Sequence, residues 1–105
     1  MKVFITGVTG YVGHRLALEA LARGYTVHAL VRDMHSEYIP SHPNLRAFKG
    51  DVTDLDSLKA AMQGCNWVMH AAGITKFRVK DREIFYKVNV DGTRNVLDAA
   101  LELGV

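Results

Sequence analysis

The sequence predicts an α/β fold: a parallel sheet of four strands in the order 3-2-1-4, covered by helices on both faces. Three observations carry this reading. Short, nearly continuous apolar runs alternate with stretches of helical periodicity along the whole chain, as in a sheet buried on both sides. Glycines punctuate the pattern at 24, 50, 64 and 73, where runs and helices should stop. Right-handed crossovers between successive parallel strands then fix the order.

The first strand is read over residues 2–5. Tyr11 to Arg23 has helical spacing, with Thr9 as its expected cap, Gly24 as its stop and an apolar stripe of Leu16, Ala17, Ala20 and Leu21. The second strand runs from Thr26 to Val31. Residues 33–43 hold both prolines, Pro40 and Pro43, and read as a loop with room for one short helical turn. A short third strand covers Leu45 to Phe48. Asp54 is placed to cap a helix from Leu55 to Met62. The fourth strand is read over Trp67–Ala72, closed by Gly73, and a loop follows from Ile74 to about Lys80. One long helix is expected over Arg82–Leu103. Its shared face would carry Phe85, Val88 or Asn89, Thr93, Val96, Leu97, Ala100 and Leu101.

The 105 residues are 49% hydrophobic and 23% charged, which suits one folded unit rather than a disordered chain. No apolar run approaches the roughly 20 residues a membrane span needs. The first residues enter a strand at once, so no signal peptide is expected. The single cysteine, Cys65, cannot form an internal disulfide, and a reducing, cytoplasmic setting is expected. Net charge is +2 and the basic residues are scattered. Only the stretch from Lys76 to Arg82 is dense, and Asp81 interrupts it, so a solvated loop is expected there rather than a nucleic-acid surface.

The chemistry is concentrated at Thr6-Gly7-Val8-Thr9-Gly10-Tyr11-Val12-Gly13. The glycine spacing G-x-x-G-x-x-G lies between an apolar run and a helix. A strand turning through glycines into a helix N-terminus presents unpaired N–H groups and the positive end of the helix dipole, which together bind anions. The motif predicts a nucleotide-binding turn, with Thr6 steadying the turn and Gly13 letting the helix pack close to the sheet. At the end of the second strand, the position where an acid would take the ribose hydroxyls and select NAD falls on Val31, and Arg32 follows. A guanidinium there suits a ribose 2′-phosphate and favours NADP, with NAD as the alternative. Arg32 as a solvated residue and Asp33 as a turn former is the plainer reading. After strand three, Asp51 and Val52 either flank an adenine or simply form the turn before Asp54.

Four segments then resemble the extended short-chain dehydrogenase/reductase family in order and spacing: residues 6–13, Gly50-Asp51-Val52-Thr53-Asp54, His70-Ala71-Ala72-Gly73, and Asn89-Val90-Asp91-Gly92-Thr93-Arg94-Asn95-Val96-Leu97. Val31-Arg32-Asp33 and Tyr86-Lys87-Val88-Asn89-Val90 are similar to its dihydroflavonol-reductase-like branch. The resemblance covers essentially the whole chain and implies that residues 1–105 form an NAD(P)-binding, partial Rossmann-type domain, NAD-dependent epimerase/dehydratase in type. It implies that Gly7, Gly10 and Gly13 hold the diphosphate, with backbone N–H groups from Tyr11 and Val12. Arg32 would meet the 2′-phosphate, Asp51 and Val52 would flank adenine, and Ala71, Ala72 and Gly73 would lie against the nicotinamide-side ribose. Asn89 would support the active-site backbone or a bound water; the alternative is a helix-interior polar residue satisfied locally.

In that family a Ser/Thr and a Tyr-x-x-x-Lys pair perform the chemistry. Here Tyr11 is followed four residues later by Arg15, and Tyr86 by Val90, and neither pair is a substitute. The chain ends at Leu103-Gly104-Val105, where strand five is expected. The expectation is therefore a cofactor-binding N-terminal portion of an NADPH-dependent reductase of a carbonyl substrate, without its catalytic residues. The alternatives are a portion of an NAD-dependent nucleotide-sugar epimerase or dehydratase, and a non-catalytic dinucleotide-binding or self-associating module. The unpaired edge of strand four and the apolar face of the last helix would drive association. His14, His28, His35, His42 and His70 show no metal-ligand spacing, so no metal is expected. His70 is read as ordering backbone, Cys65 as a small buried residue, and Met34, Met62 and Met69 as packing.

Overall fold

Four parallel strands form one sheet in the order β3-β2-β1-β4, as the sequence predicts. The structure, a computed structural model, describes residues 1–73 and 82–105. The loop read from Ile74 to Lys80, and all of the basic stretch except Arg82, lie outside the described residues. The elements are β1 (Lys2–Thr6), α1 (Tyr11–Ala22), β2 (Thr26–Val31), β3 (Leu45–Lys49), α2 (Leu55–Met62), β4 (Trp67–His70), α3 (Arg82–Tyr86), a π-helical segment (Lys87–Asp91) and α4 (Gly92–Leu103).

Side-chain alternation divides the core into two layers. Val3 and Ile5 of β1, with Val27, Ala29 and Val31 of β2, face one way and bury Ala17, Ala20 and Leu21 of α1. Phe4 of β1 and Leu30 of β2 face the other way and bury Leu58, Ala61 and Met62 of α2 with Val96 and Ala99 of α4. Successive strand residues point to opposite faces, so a strand covered on both sides must be apolar throughout. Thr6 at the end of β1 and His28 in β2 are the polar exceptions among the described residues; His28 is the one inside the strand run. It is buried among these side chains, and its Nδ1 donates to the Ala61 carbonyl at 2.8 Å.

Helix termini follow local chemistry. Asp54 caps α2, its carboxylate accepting from the N–H groups of Asp56 and Ser57. Gly24 and Gly64 take positive φ where α1 and α2 give way to the next strand. Several expectations are corrected. Thr9 does not cap α1; Gly10 holds the N-cap position, and no side chain closes that end. Residues 33–43 contain turns but no helical turn, and β4 ends at His70 rather than Ala72. Met34 is exposed, whereas Met62 is fully buried.

The last helical stretch is not one regular α-helix. The π-helical turns at Lys87–Asp91 rotate its two halves relative to each other, so a single 3.6-residue stripe fails. The face that α4 buries is Gly92, Val96 and Ala99. Phe85 is exposed, and Leu97 and Leu101 are 64% and 83% exposed on the outer side.

Candidate functional site

The register places Thr6 of β1 beside Leu30 of β2 and His70 of β4, so these strands end together. β1 has its neighbours β2 and β4 on opposite sides, and the chain leaves in opposite directions to reach them. A crevice opens at such a switch point, outside the carboxyl ends of the strands. Here it is a cleft of about 290 Å3, walled by the glycine turn, the ends of β2 and β3, the Ala71–Gly73 segment and Val88.

The glycine turn forms the floor. Gly7 has φ +79°, and a Cβ on it would lie 2.7 Å from the Ala72 nitrogen and 2.8 Å from the Ala71 carbonyl carbon. A Cβ on Gly13 would lie 2.0 Å from the Gly7 oxygen, which no side chain can occupy. Gly10 N–H donates to the Gly7 oxygen at 3.0 Å and closes the turn. The first helical bond of α1 runs from His14 N–H to the Gly10 oxygen at 2.9 Å. The N–H groups of Tyr11, Val12 and Gly13 therefore precede the helical ladder, with no side-chain cap and no acidic residue in the first turn. The Tyr11 side chain points into solvent, 88% exposed, so residues 11 and 12 offer backbone rather than side chains to the turn.

The next wall is set by the ends of β2 and β3. Arg32 lines the cleft and is exposed. Asp33 is committed elsewhere: its Oδ1 accepts from His35 N–H at 2.9 Å and its carbonyl accepts from Ser36 N–H, so it shapes the turn. Asp51 lines the cleft with Oδ1 accepting from the Thr53 N–H and hydroxyl, both at 3.0 Å. That fixes the carboxylate's direction. The carbonyl of buried Val52 accepts from Asn95 Nδ2 at 3.0 Å, tying this turn to α4. Gly92 allows the approach, since a Cβ there would lie 2.7 Å from Val52 Cγ2.

Ala71, Ala72 and Gly73 form the opposite wall. Thr6 Oγ1 accepts from the N–H groups of Ala71 and Ala72, each at 3.1 Å, and lies 2.7 Å from His70 Nδ1. His70 Nε2 lies 3.0 Å from Thr93 Oγ1, which donates to the Asn89 carbonyl at 2.7 Å. A Cβ on Gly73 would lie 3.2 Å from Asn89 Oδ1, so that amide stands directly over the segment. Burial holds the His70 imidazole below its ordinary range.

Gly7, Gly10, Arg32, Asp51, Val52, Ala71, Ala72 and Gly73 all line one cleft, while Tyr11, Val12 and Gly13 stand beside it at the helix start. Asn89 borders it through Gly73. Sequence reasoning missed Val88 as a lining residue and Thr93 and Asn95 as supports, because their reach depends on the π-helical turns. These groups suit a dinucleotide: the Cβ-free turn and uncapped helix start suit a diphosphate, Arg32 an added anion and Asp51 an amine donor. Among the described residues, no cluster of three metal-ligating groups occurs.

The family model described as "NAD dependent epimerase/dehydratase family" matches residues 3–105. A 4-hydroxy-2-methyl-3-oxo-4-farnesyl-3,4-dihydroquinoline-1-oxide ketoreductase from Stigmatella aurantiaca is 38% identical over 100 residues, covering 95% of this chain and 30% of the relative. Dihydroflavonol 4-reductase from Gerbera hybrida is 34% identical over 109 residues, covering 95% and 30%. The solved UDP-glucose 4-epimerase of Thermus thermophilus, in complex with NAD, superimposes with a TM-score of 0.87 at 28% identity, over 100% of this chain and 35% of that one. The chain thus spans about a third of the length of the relatives it matches.

Proposed function

This chain belongs to the NAD-dependent epimerase/dehydratase family, and on that premise we propose that residues 1–105 form the NADP-binding domain of an extended reductase that acts on a carbonyl substrate. The observation that carries the reading is the Cβ-free turn running into the uncapped start of α1, with Arg32 in the wall of the same cleft. The diphosphate would rest on the N–H groups at the start of α1. Arg32 would pair with the 2′-phosphate; the position of the NAD-selecting acid falls on Val31, and Asp33 turns Oδ1 to the His35 N–H. Asp51, aimed by Thr53, would accept from the adenine amine, and Ala71–Gly73 would back the nicotinamide-side ribose. When bound, the nicotinamide supplies the hydride chemistry. The Ser/Thr and Tyr-x-x-x-Lys groups of the family are not found in this sequence, so these residues bind and orient but do not themselves protonate a substrate. The single cysteine supports a cytoplasmic setting.

Titration with NADPH and NADH, on the wild type and on Arg32→Ala, tests this. We expect NADPH to bind roughly tenfold or more tightly than NADH, and Arg32→Ala to remove most of that preference, because a charge-assisted bond contributes about 1.5–3 kcal/mol. Equal wild-type affinities would favour the NAD-dependent epimerase or dehydratase reading, which is supported by the NAD-bound epimerase relative. No binding of either would leave a self-associating module. Exposed Leu97 and Leu101, and a β4 that pairs only with β1 among the described residues, favour association. A monomer by sedimentation at high concentration would refute that part.

A further inference from the structure

His70 does not line the cleft, yet it sits at the centre of a hydrogen-bonded chain whose direction can be worked out atom by atom. Thr6 Oγ1 has one proton and two lone pairs. Its backbone partners, the N–H groups of Ala71 (shared with the Thr6 carbonyl) and Ala72, can only donate to it, so its own proton goes to His70 Nδ1. The imidazole is therefore neutral with its proton on Nε2, and it donates to Thr93 Oγ1. Thr93 passes its own proton to the Asn89 carbonyl inside the π-helical segment. No other tautomer satisfies every member, and burial of the ring acts in the same direction by disfavouring the charged form.

We propose that His70, as the neutral Nε2–H tautomer, is a positioning residue that clamps the π-helical turn to the end of β4 and thereby sets the nicotinamide-side wall of the cleft. One end of the clamp orients the backbone of Ala71 and Ala72. The other anchors the residue whose amide oxygen rests on Gly73. The adenosine half of the cleft, at Arg32 and Asp51, is built from β2, β3 and the Asn95 bond and does not include the clamp. The inference rests on the proposed dinucleotide reading.

Two variants break the Nε2 side only. His70→Asn retains an acceptor near Thr6 but cannot reach Thr93, and Thr93→Val removes the hydroxyl at constant shape. Each should weaken NADPH binding roughly three- to tenfold, the span of one lost hydrogen bond. Binding of 2′,5′-ADP, which reports the adenosine half alone, should stay within about twofold, and the double variant should be no weaker than either single one. Equal loss for both ligands would reduce His70 to general structural support and overturn the proposal, as would unchanged NADPH affinity. Nitrogen-15 NMR of the wild-type imidazole should show an unprotonated Nδ1 and a protonated Nε2 at neutral pH. The opposite tautomer would overturn the clamp even if a variant failed to fold. Should the wild type bind neither ligand, the dinucleotide reading fails, and the NMR result then decides the clamp by itself.

Discussion

Replacing Gly13 by alanine sets two physical effects against each other. Gly13 lies within the first turn of α1, where the backbone is helical and alanine is favoured over glycine by up to about 1 kcal/mol. Propensity alone predicts a more stable protein. Packing predicts the reverse, because the new Cβ would stand 2.0 Å from the Gly7 oxygen and 2.4 Å from its carbon. Ordinary contact begins near 3.4 Å, so the helix start must move by about 1.4 Å from the turn. That movement strains the Gly10-to-Gly7 bond and unseats α1 from the strand layer of Val3, Ile5 and Val27. Overpacking of this kind costs typically 1–3 kcal/mol, and a contact against rigid backbone belongs at the upper end. After subtracting the propensity gain, the net loss is about 2 kcal/mol, or roughly 10 °C in Tm for a chain of this size. Urea unfolding and thermal melts measure it directly, and NADPH titration should show affinity falling in parallel. A Gly13→Ala protein as stable as the wild type, or more so, would refute the close seating of α1 on the turn and the cradle with it.

Three further outcomes are expected. Asp54→Ala removes the carboxylate that caps α2 and should cost about 1 kcal/mol by urea denaturation; an unchanged midpoint would show that α2 is held by packing alone. The folded His70 titrates below its ordinary 6.5, so the unfolded chain takes up its proton first as pH falls. Stability from this group is complete above about pH 6.5 and is lost as pH drops through the folded value. The urea midpoint should therefore fall between pH 7.5 and pH 5.5, and fall less in His70→Asn; equal slopes would contradict the buried neutral ring. Cys65 is buried, and its thiol is pushed up to about 11 by desolvation. A disulfide reagent at pH 7.5 should label it only on unfolding, and rapid labelling of the native protein would contradict its burial.

The sequence by itself determined the α/β class, the strand order and most of the cleft. Those features rest on local rules: apolar runs for strands buried on both faces, glycines where φ turns positive or a Cβ has no room, and Asp54 before an apolar helical pattern. Its largest failure came from assuming a regular period where the backbone is irregular. The π-helical turns at Lys87–Asp91 shift the register of α4, so Leu97 and Leu101, read as one apolar face, stand outside, and Gly92, Val96 and Ala99 turn inward. Thr9 was one residue too early as a cap because the turn closes on Gly10. Asp33 as a turn former was already legible in the chain, but tertiary structure alone decided that Arg32 faces the cleft. It alone joined Thr6, His70, Thr93 and Asn89, residues up to 87 positions apart, into one hydrogen-bonded chain. Each of those outcomes turns on which atoms a fold brings within about 3 Å of each other, and no local pattern in a chain encodes such a distance.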